Sequence, residues 1–400
     1  MMKVSFFTLG CKVNQFDTQS IRESFLRRGF VESAGSGNDW CVINTCTVTA
    51  KADAKSRNII RHLIKKNPHS RILVTGCLVA KDYTKISKIR GIDYIVSKGF
   101  FADSISDFKG RTRAFLKIQD GCDNFCSYCK VPYVRGRPYS RPEKQVLKEA
   151  VLLTDRGFKE IVLTGICLGS YAGLPRLLKK LEEIPGLLRI RLSSIEAGDI
   201  KPQLVDVMNK SAKICPHLHV PIQSGDDVIL KRMHRSYTQR DYLSLIRKAK
   251  KAVKGLSITT DVIVGFPGET EAQFENTISL VKAIEPLKVH IFPYSQRAGT
   301  LAANFANAVP GAVIRQRISR LKAIAESLSF EFKRQFVNKA SLVLFEGRSK
   351  AAPDLWEGYT GNYIKVIVSA KSQMFNKMTR VKLKSVAKEA MLAEFCCGQG

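Results

Sequence analysis

Three cysteines, Cys122, Cys126 and Cys129, stand at C-x3-C-x2-C spacing between Gly121 and Lys130, and no other feature of this 400-residue chain narrows its fold so far. Thiols this close together on one short segment require a loop on rigid supports that points them at a common centre. No apolar run approaches the ~18 residues of a membrane span, and Met1 to Leu9 leads straight into Gly10-Cys11 without the long apolar segment and cleavage site of a secretory signal. A cytoplasmic chain outside the membrane is therefore expected, and that reducing compartment disfavours disulfides. Ligation is the better reading of the triad. Zinc sites close with a fourth Cys or His at a fixed offset, and none follows within this loop; three soft thiolates suit a 4Fe-4S cluster with one iron left open, with structural zinc as the alternative.

Apolar runs bounded by turn residues divide the chain into three regions. In residues 1–107, KVSFFTL (from Lys3), DWCVINT (from Asp39) and SRILVTG (from Ser70) each precede a helix-like stretch, a βα rhythm that predicts a small parallel sheet. The turns behind them carry Cys11, Cys46 and Cys77, 35 and 31 residues apart. A parallel sheet brings these thiols to one edge, the C-terminal edge at which open α/β sheets build their sites. Taken alone, they also read as three buried small hydrophobes. After a basic, turn-rich stretch from Asp107 to Arg113, residues 108–335 hold six strand candidates beginning at Ala114, Glu160, Leu188, Leu218, Ser257 and Lys288. Six βα units are too few for a closed eight-unit barrel and suit an open, partial (β/α)6 barrel. Residues 336–400 follow a basic helical stretch, Arg315 to Phe336, and carry short runs that read as antiparallel strands of a small β-barrel. The fold class expected is α/β, with a parallel-sheet domain, a partial barrel and a terminal β module.

The net charge is +30, spread as +9, +15 and +6 over residues 1–110, 111–330 and 331–400. A field of this size predicts a polyanionic partner, most simply nucleic acid, with a lysine-rich proteome as the plain alternative. No P-loop or GxGxxG is present, so nucleotide hydrolysis and nicotinamide chemistry lack support.

The Cys122-Cys126-Cys129 loop resembles that of the radical S-adenosylmethionine (SAM) superfamily. TLGCKVNQFDTQ (from Thr8), INTCTVTAKAD (from Ile43) and VTGCLVA (from Val74) resemble the three signatures of its methylthiotransferase family. GYTGNYIKV (from Gly358) is similar to the family's RNA-binding TRAM domain, and the likeness runs between these ends through RLSSIEAGDI, HLHVPIQSGDDVILKRMHRSYT, TTDVIVGFPGET and HIFPYSQRAGT. The resemblance implies two 4Fe-4S clusters. Cys122, Cys126 and Cys129 would hold the one whose open iron binds SAM and yields a 5′-deoxyadenosyl radical; Cys11, Cys46 and Cys77 would hold an auxiliary one that carries the sulfur to be inserted.

By the same resemblance the loops behind the barrel strands line the SAM pocket, which makes Gly165, Ile166, Ser194, Glu196, Gln223, Arg235 and Gly265 the cofactor-contact candidates. Glycine lets backbone approach a ligand, and Glu196 and Arg235 can answer the cofactor's amino and carboxylate groups; a turn or a surface ion pair is the alternative for each. Asp261 reads as a strand-end hydrogen-bonding residue, and His217 and His219 share one strand face. Lys12-Val13-Asn14 resembles the branch that modifies N6-threonylcarbamoyladenosine beside the anticodon, rather than the branches acting on isopentenyladenosine or on a ribosomal-protein aspartate. The implied activity is tRNA 2-methylthio transfer, with an anticodon stem-loop, a reducing electron donor and a sulfur source as partners. A non-catalytic iron-sulfur RNA-binding protein is the rival of another class. Trp356 and Tyr359 are candidates either for base-stacking platforms or for the terminal module's core. Cys41 and Cys215 read as core thiols, Cys396 and Cys397 as exposed tail thiols, and Cys167, behind Gly165-Ile166, carries no assigned role.

Overall fold

Residues 1–35, 37–97 and 104–396 are described by a computed structural model. The first region is an all-parallel sheet in the order β2-β1-β3-β4-β5, from β1 (Lys3–Thr8), β2 (Val31–Glu32), β3 (Trp40–Thr45), β4 (Arg71–Gly76) and β5 (Tyr94–Ile95). The two-residue edge strands β2 and β5 are too short to show a period in the sequence. Helix α1 (Lys12–Arg27) follows β1, α2 (Ala50–Lys66) follows β3, and α3 (Cys77–Lys81) follows β4 at once. Thr49 caps α2 by accepting from the Ala52 N–H at 3.1 Å, which fixes where the chain turns after Cys46. Gly76 makes the equally sharp turn into α3 at φ +99°, where a Cβ would fall 2.3 Å from Asn44 Oδ1. Only glycine fits there.

The second region contains β6 (Arg113–Lys117), a small ribbon of β7 (Gln119–Asp120) and β8 (Tyr139–Ser140), then β9 (Glu160–Thr164), β10 (Arg189–Leu192), β11 (His217–His219), β12 (Ser257–Val264) and β13 (Lys288–Pro293). Parallel triplets β6-β9-β10 and β11-β12-β13 are joined by the bridges Ile190 to Ile214 and Ser194 to His219, so six strands run as one open arc. That is the partial barrel expected. Strand β11 is shorter than the run LHVPIQ suggested, because Pro221 lacks the N–H a ladder needs and Gln223 turns left-handed at φ 62°. Phe16 of α1 belongs to the barrel's own hydrophobic core, so the first sheet docks against the β6 edge of the arc.

The third region is a closed barrel, β14-β15-β16-β18-β17, from β14 (Ala340–Arg348), β15 (Leu355–Thr360), β16 (Lys365–Ser369), β17 (Met378–Val386) and β18 (Met391–Phe395). Four of its pairings are antiparallel and β16 to β18 is parallel. In β15, Gly358 interrupts the apolar pattern; it is there since a Cβ would lie 2.3 Å from Leu344 O. This module packs under the N-terminal ends of the arc strands: Arg189 Nη1 donates to Tyr359 O at 3.0 Å, Arg191 Nη1 to Gly361 O at 2.9 Å, and Ser257 Oγ to Asn362 O at 2.6 Å. The C-terminal ends, with the cysteine loop, remain for chemistry. No helix among the described residues is long and apolar enough to cross a membrane.

Candidate functional site

The loop triad is fixed by backbone bonds from three directions. Cys122 N–H donates to Gly136 O (3.0 Å), Ser127 N–H to Met233 O (3.1 Å) and Cys129 N–H to Cys126 O (2.9 Å). Each sulfur also receives a donor: Asn124 N–H reaches Cys122 Sγ at 3.5 Å, Arg235 Nη1 reaches Cys126 Sγ at 3.4 Å, and Val131 N–H reaches Cys129 Sγ at 3.4 Å. Burial pushes the Cys129 thiol up to about 12 and raises that of Cys126, which Arg235 opposes. The Cys122 thiol is drawn down to about 7, first by a hydrogen bond with Cys167 and then, against burial, by the Asn124 N–H. Cys167, which sequence left without a role, is 4% exposed, and its Sγ lies 3.4 Å from Asp199 Oδ2.

The edge triad meets as the parallel order predicts. Cys11, Cys46 and Cys77 line one small pocket together with Asn14, Thr47, Val48, Lys130, Val131, Val134, Arg135 and Ile166. Cys46 and Cys77 are buried and Cys11 is exposed. Burial raises the Cys46 thiol, and the facing Cys11 and Cys77 raise it further. Three mutually repelling thiolates demand an electropositive centre between them. Arg135 supplies part of that charge, with Nε 3.3 Å from Cys77 Sγ and Nη1 3.0 Å from Asp120 Oδ1. Asn14 joins the strand ends by donating to Leu9 O (2.8 Å) and Thr45 O (2.9 Å) while its Oδ1 takes a bond from Arg135 Nη2. The short helix Val131–Arg135, which directly follows Cys129, forms a wall of this pocket and so stands between the two triads.

Among the described residues, His219, Asp261 and His290 bring their ligand atoms within 4.8 Å of one another. The N–H and guanidinium donors to the cysteine sulfurs are those that a polynuclear cluster accepts.

Of the other candidates, Ile166 lines the edge pocket, while Gly165 packs where a Cβ would stand 2.9 Å from Gln119 Oε1. Glu196 and Arg235, expected to meet a cofactor's amino and carboxylate groups, pair with each other, and Arg235 also contacts Tyr237 Oη at 3.2 Å. Ser194 bridges to β11, Gln223 N–H donates to Asp261 O (2.9 Å), and Gly265 N–H donates to Glu269 Oε2 (2.8 Å). Asp261 lies within β12 rather than at its end, with Oδ1 3.2 Å from His219 Nε2; His217 Nε2 and His219 Nδ1 share Thr259 Oγ1 at 3.0 and 2.8 Å. Trp356 is 2% exposed in the terminal barrel's core, and Tyr359 is half-buried, stacked on Tyr363 against Arg113. Exposed aromatic rings stand instead beside the cysteine loop: Phe125, Tyr133 and Tyr139. Cys41 and Cys215 are core thiols, Cys396 is half-exposed, and Cys397 lies outside the described residues. Sequence reasoning used Asn14 only as part of a branch signature and passed over Arg135, giving neither a place in the site, although they stand three residues after Cys11 and six after Cys129.

Comparison with known proteins agrees with this geometry. Residues 116–281 match the radical SAM superfamily, and residues 3–97 match a family described as uncharacterized protein family UPF0004. The chain is 39% identical to threonylcarbamoyladenosine tRNA methylthiotransferase MtaB of Bacillus subtilis (strain 168), covering 96% of this chain and 94% of that one. It is 36% identical to the protein of the same name from Chlamydia pneumoniae, with 96% of each covered. A tRNA-2-methylthio-N(6)-dimethylallyladenosine synthase of Finegoldia magna is 31% identical, covering 98% and 94%. Among solved structures, the radical SAM methyltransferase TsrM from Kitasatospora setae, with cobalamin and a [4Fe-4S] cluster bound, superposes with a TM-score of 0.52 at 14% identity over 73% of this chain and 72% of that one, a likeness of fold.

Proposed function

This chain belongs to the radical SAM methylthiotransferase family, and on that premise we propose that it inserts a methylthio group at carbon 2 of N6-threonylcarbamoyladenosine beside the anticodon of tRNA. The observation that carries the reading is the pair of cysteine triads on either side of one short wall, in a chain 39% identical over nearly its whole length to a protein named for that reaction. Cys122, Cys126 and Cys129 would hold one 4Fe-4S cluster, with SAM beside it, and Cys11, Cys46 and Cys77 the auxiliary one. When bound, these groups supply the reductive cleavage of SAM and the sulfur to be transferred.

The chain's own residues set the conditions. Arg235 neutralises Cys126 and holds Glu196 at the same edge. Arg135 and Asn14 fix Cys77 and tie α1 to the short wall, so that the two centres keep their separation during turnover. Phe125 and Tyr133, in edge contact at 5.7 Å and exposed, offer stacking faces to anticodon-loop bases, and Lys130 beside Tyr133 offers a phosphate contact. An electron donor and a sulfur source complete the cycle, and the cytoplasm, where tRNA is modified, is the expected compartment.

Mass spectrometry of tRNA nucleosides from cells with and without the gene tests the assignment. Loss of 2-methylthio-N6-threonylcarbamoyladenosine with the gene supports it. Loss of 2-methylthio-dimethylallyladenosine instead moves the substrate to the branch of the 31% relative. Failure of the purified, reduced protein to cleave SAM anaerobically would return the non-catalytic alternative.

A further inference from the structure

Helix α2 presents a row of cations that the protein leaves unanswered. Asp53, Ser56, Ile60 and Leu63 are buried against the sheet, while Lys51, Lys55, Asn58, His62 and Lys65, at i, i+4, i+7, i+11 and i+14, form one exposed stripe. Arg61 and Lys66, also exposed, flank it. The helix has one acid, Asp53, and it is turned inward to Lys81 and Arg297. Among the described residues, none of Lys51, Lys55, Arg61, Lys65 and Lys66 makes an ion pair. Helix Gly311–Arg334 shows the contrast, since its surface cations meet acids: Arg317 and Arg320 pair with Glu271, Lys322 with Glu326 and Arg334 with Glu331.

The stripe begins at the rim of the edge triad. Val48, two residues before α2, lines the triad's pocket, and the Ala50 N–H donates to Ser295 Oγ at 3.2 Å, just behind β13. From there the helix returns along the sheet, and at ~1.5 Å per residue it carries Lys66 about 22 Å from Lys51. Its far half lies beside a second basic segment: a Cβ on Gly91 would stand 2.6 Å from Ile64 Cγ2, which sets residues 88–91, with exposed Lys88 and Arg90, against α2. The exposed acid that follows, Asp93, accepts from the Ile72 N–H at 2.7 Å. No large apolar side chain of α2 is exposed. A face with many cations and no apolar anchor suits a polyanion in water, and it lacks what a membrane surface or a packed protein interface requires.

We propose that this face of α2 holds the phosphate backbone of the anticodon stem while the loop reaches the cysteine edge. The proposal rests on the tRNA reading above. Exposed ammonium and guanidinium groups gain from each phosphate by releasing its counterions, and such contacts set register and direction without reading bases. The length of the stripe divides the work: Lys51 and Lys55, next to the edge triad, meet phosphates close to the loop, and Lys65 and Lys66 meet the stem farther away.

The test measures binding of the reconstituted full-length protein to two synthetic RNAs over a series of salt concentrations, one an anticodon stem-loop with its full stem and the other with the stem shortened. The combined variant Lys51→Gln, Lys55→Gln, Arg61→Gln, Lys65→Gln and Lys66→Gln is expected to raise Kd for the full stem-loop about 100-fold at physiological salt and to lower the slope of log affinity against log salt by about three. KM should rise while kcat stays within about threefold, because a backbone contact is made alike before and during the reaction. Iron content and RNA-free cleavage of SAM equal to those of the unaltered protein show that the variant is assembled. A control of similar kind neutralises exposed Arg247, Lys248 and Lys251 on helix Gln239–Ala252, which leads to the opposite ends of the arc strands, and should change the slope by less than about one. Lys65→Gln with Lys66→Gln should weaken the full stem-loop alone, and Lys51→Gln with Lys55→Gln should weaken both RNAs. An α2 variant that keeps the affinity and the salt slope overturns the proposal and leaves the tRNA reading standing. Equal loss in the control also overturns it, by assigning the attraction to overall charge. An iron-loaded, SAM-cleaving protein that binds neither RNA overturns the tRNA reading itself.

Discussion

The loop triad is written within eight residues of sequence, whereas the edge triad is gathered from three turns 35 and 31 residues apart. The first depends on the local path of one loop, on N–H donors from its own backbone at two of its sulfurs, and on Arg235 at the third. The second depends on the register of β1, β3 and β4, on two tight turns, and on contacts that reach across from the barrel. A local motif can survive changes elsewhere in the chain; an assembled one inherits every weakness of its scaffold. The two sites should therefore fail differently, and the difference can be measured.

The largest effect is expected from removing one ligand at each. Cys122→Ala should lower 5′-deoxyadenosine formation by at least about 1000-fold, since the group that supplies the electron is no longer held, and Cys11→Ala should keep it within about threefold while abolishing methylthio product. Anaerobic turnover with separate quantitation of 5′-deoxyadenosine and methylthio-nucleoside decides this. Equal loss of cleavage in both variants would collapse the proposed division between the sites.

Next is the support that only the edge triad needs. Arg297 Nη1 lies 3.1 Å from Asp53 Oδ2 and its Nη2 donates to Thr47 Oγ1 at 2.8 Å, with both charged side chains buried, so it ties the turn behind Cys46 to the barrel. Arg297→Ala leaves Asp53 with Lys81 and the Thr47 hydroxyl and should cost about 2–3 kcal/mol, below the full penalty for a broken buried ion pair because one counter-charge remains. Thermal unfolding should show that loss, and iron analysis should show release of about four of eight irons per chain before the remainder. Simultaneous loss of both clusters would mean that the loop triad leans on the same scaffold.

What was legible in the sequence follows the same division. Cys122, Cys126 and Cys129 were readable from spacing alone. Cys11, Cys46 and Cys77 became readable once three apolar runs were taken as parallel strands, because parallel order fixes which ends meet. The contact of Asn14 with Arg135 was not, since it spans a distance that only docking of α1 against β6 defines. Trp356 could serve as core or platform by residue type, and closure of the terminal barrel around it decides for core.

A smaller effect is expected at the turn that presents Cys77. Gly76→Ala must place a methyl 2.3 Å from Asn44 Oδ1 and 2.4 Å from Thr45 O at φ +99°, so a loss of about 1–3 kcal/mol is expected from the strained backbone. If the edge triad inherits scaffold weakness, chelator resistance of its iron should fall with the midpoint of unfolding. Unchanged resistance in a destabilised protein would separate site from scaffold and weaken the contrast.

The smallest effect should sharpen the boundary of the loop triad. Cys167 touches Cys122 and Asp199 and lies behind Gly165-Ile166, yet its thiol is kept strongly in the neutral form, first by the hydrogen bond with Cys122 and then by burial. A neutral thiol serves as a hydrogen-bond donor to a neighbouring sulfur and makes a poor ligand. Cys167→Ala should therefore leave iron content intact and slow SAM cleavage by less than about tenfold, the scale of one ~1 kcal/mol hydrogen bond. Electron paramagnetic resonance of the reduced protein should show a shift in the loop cluster's signal and none in the other, because donors to sulfur tune a cluster's potential. If the alanine variant instead loses half its iron, the loop site is a four-thiol centre, and the resemblance between the two triads ends at the number of their ligands.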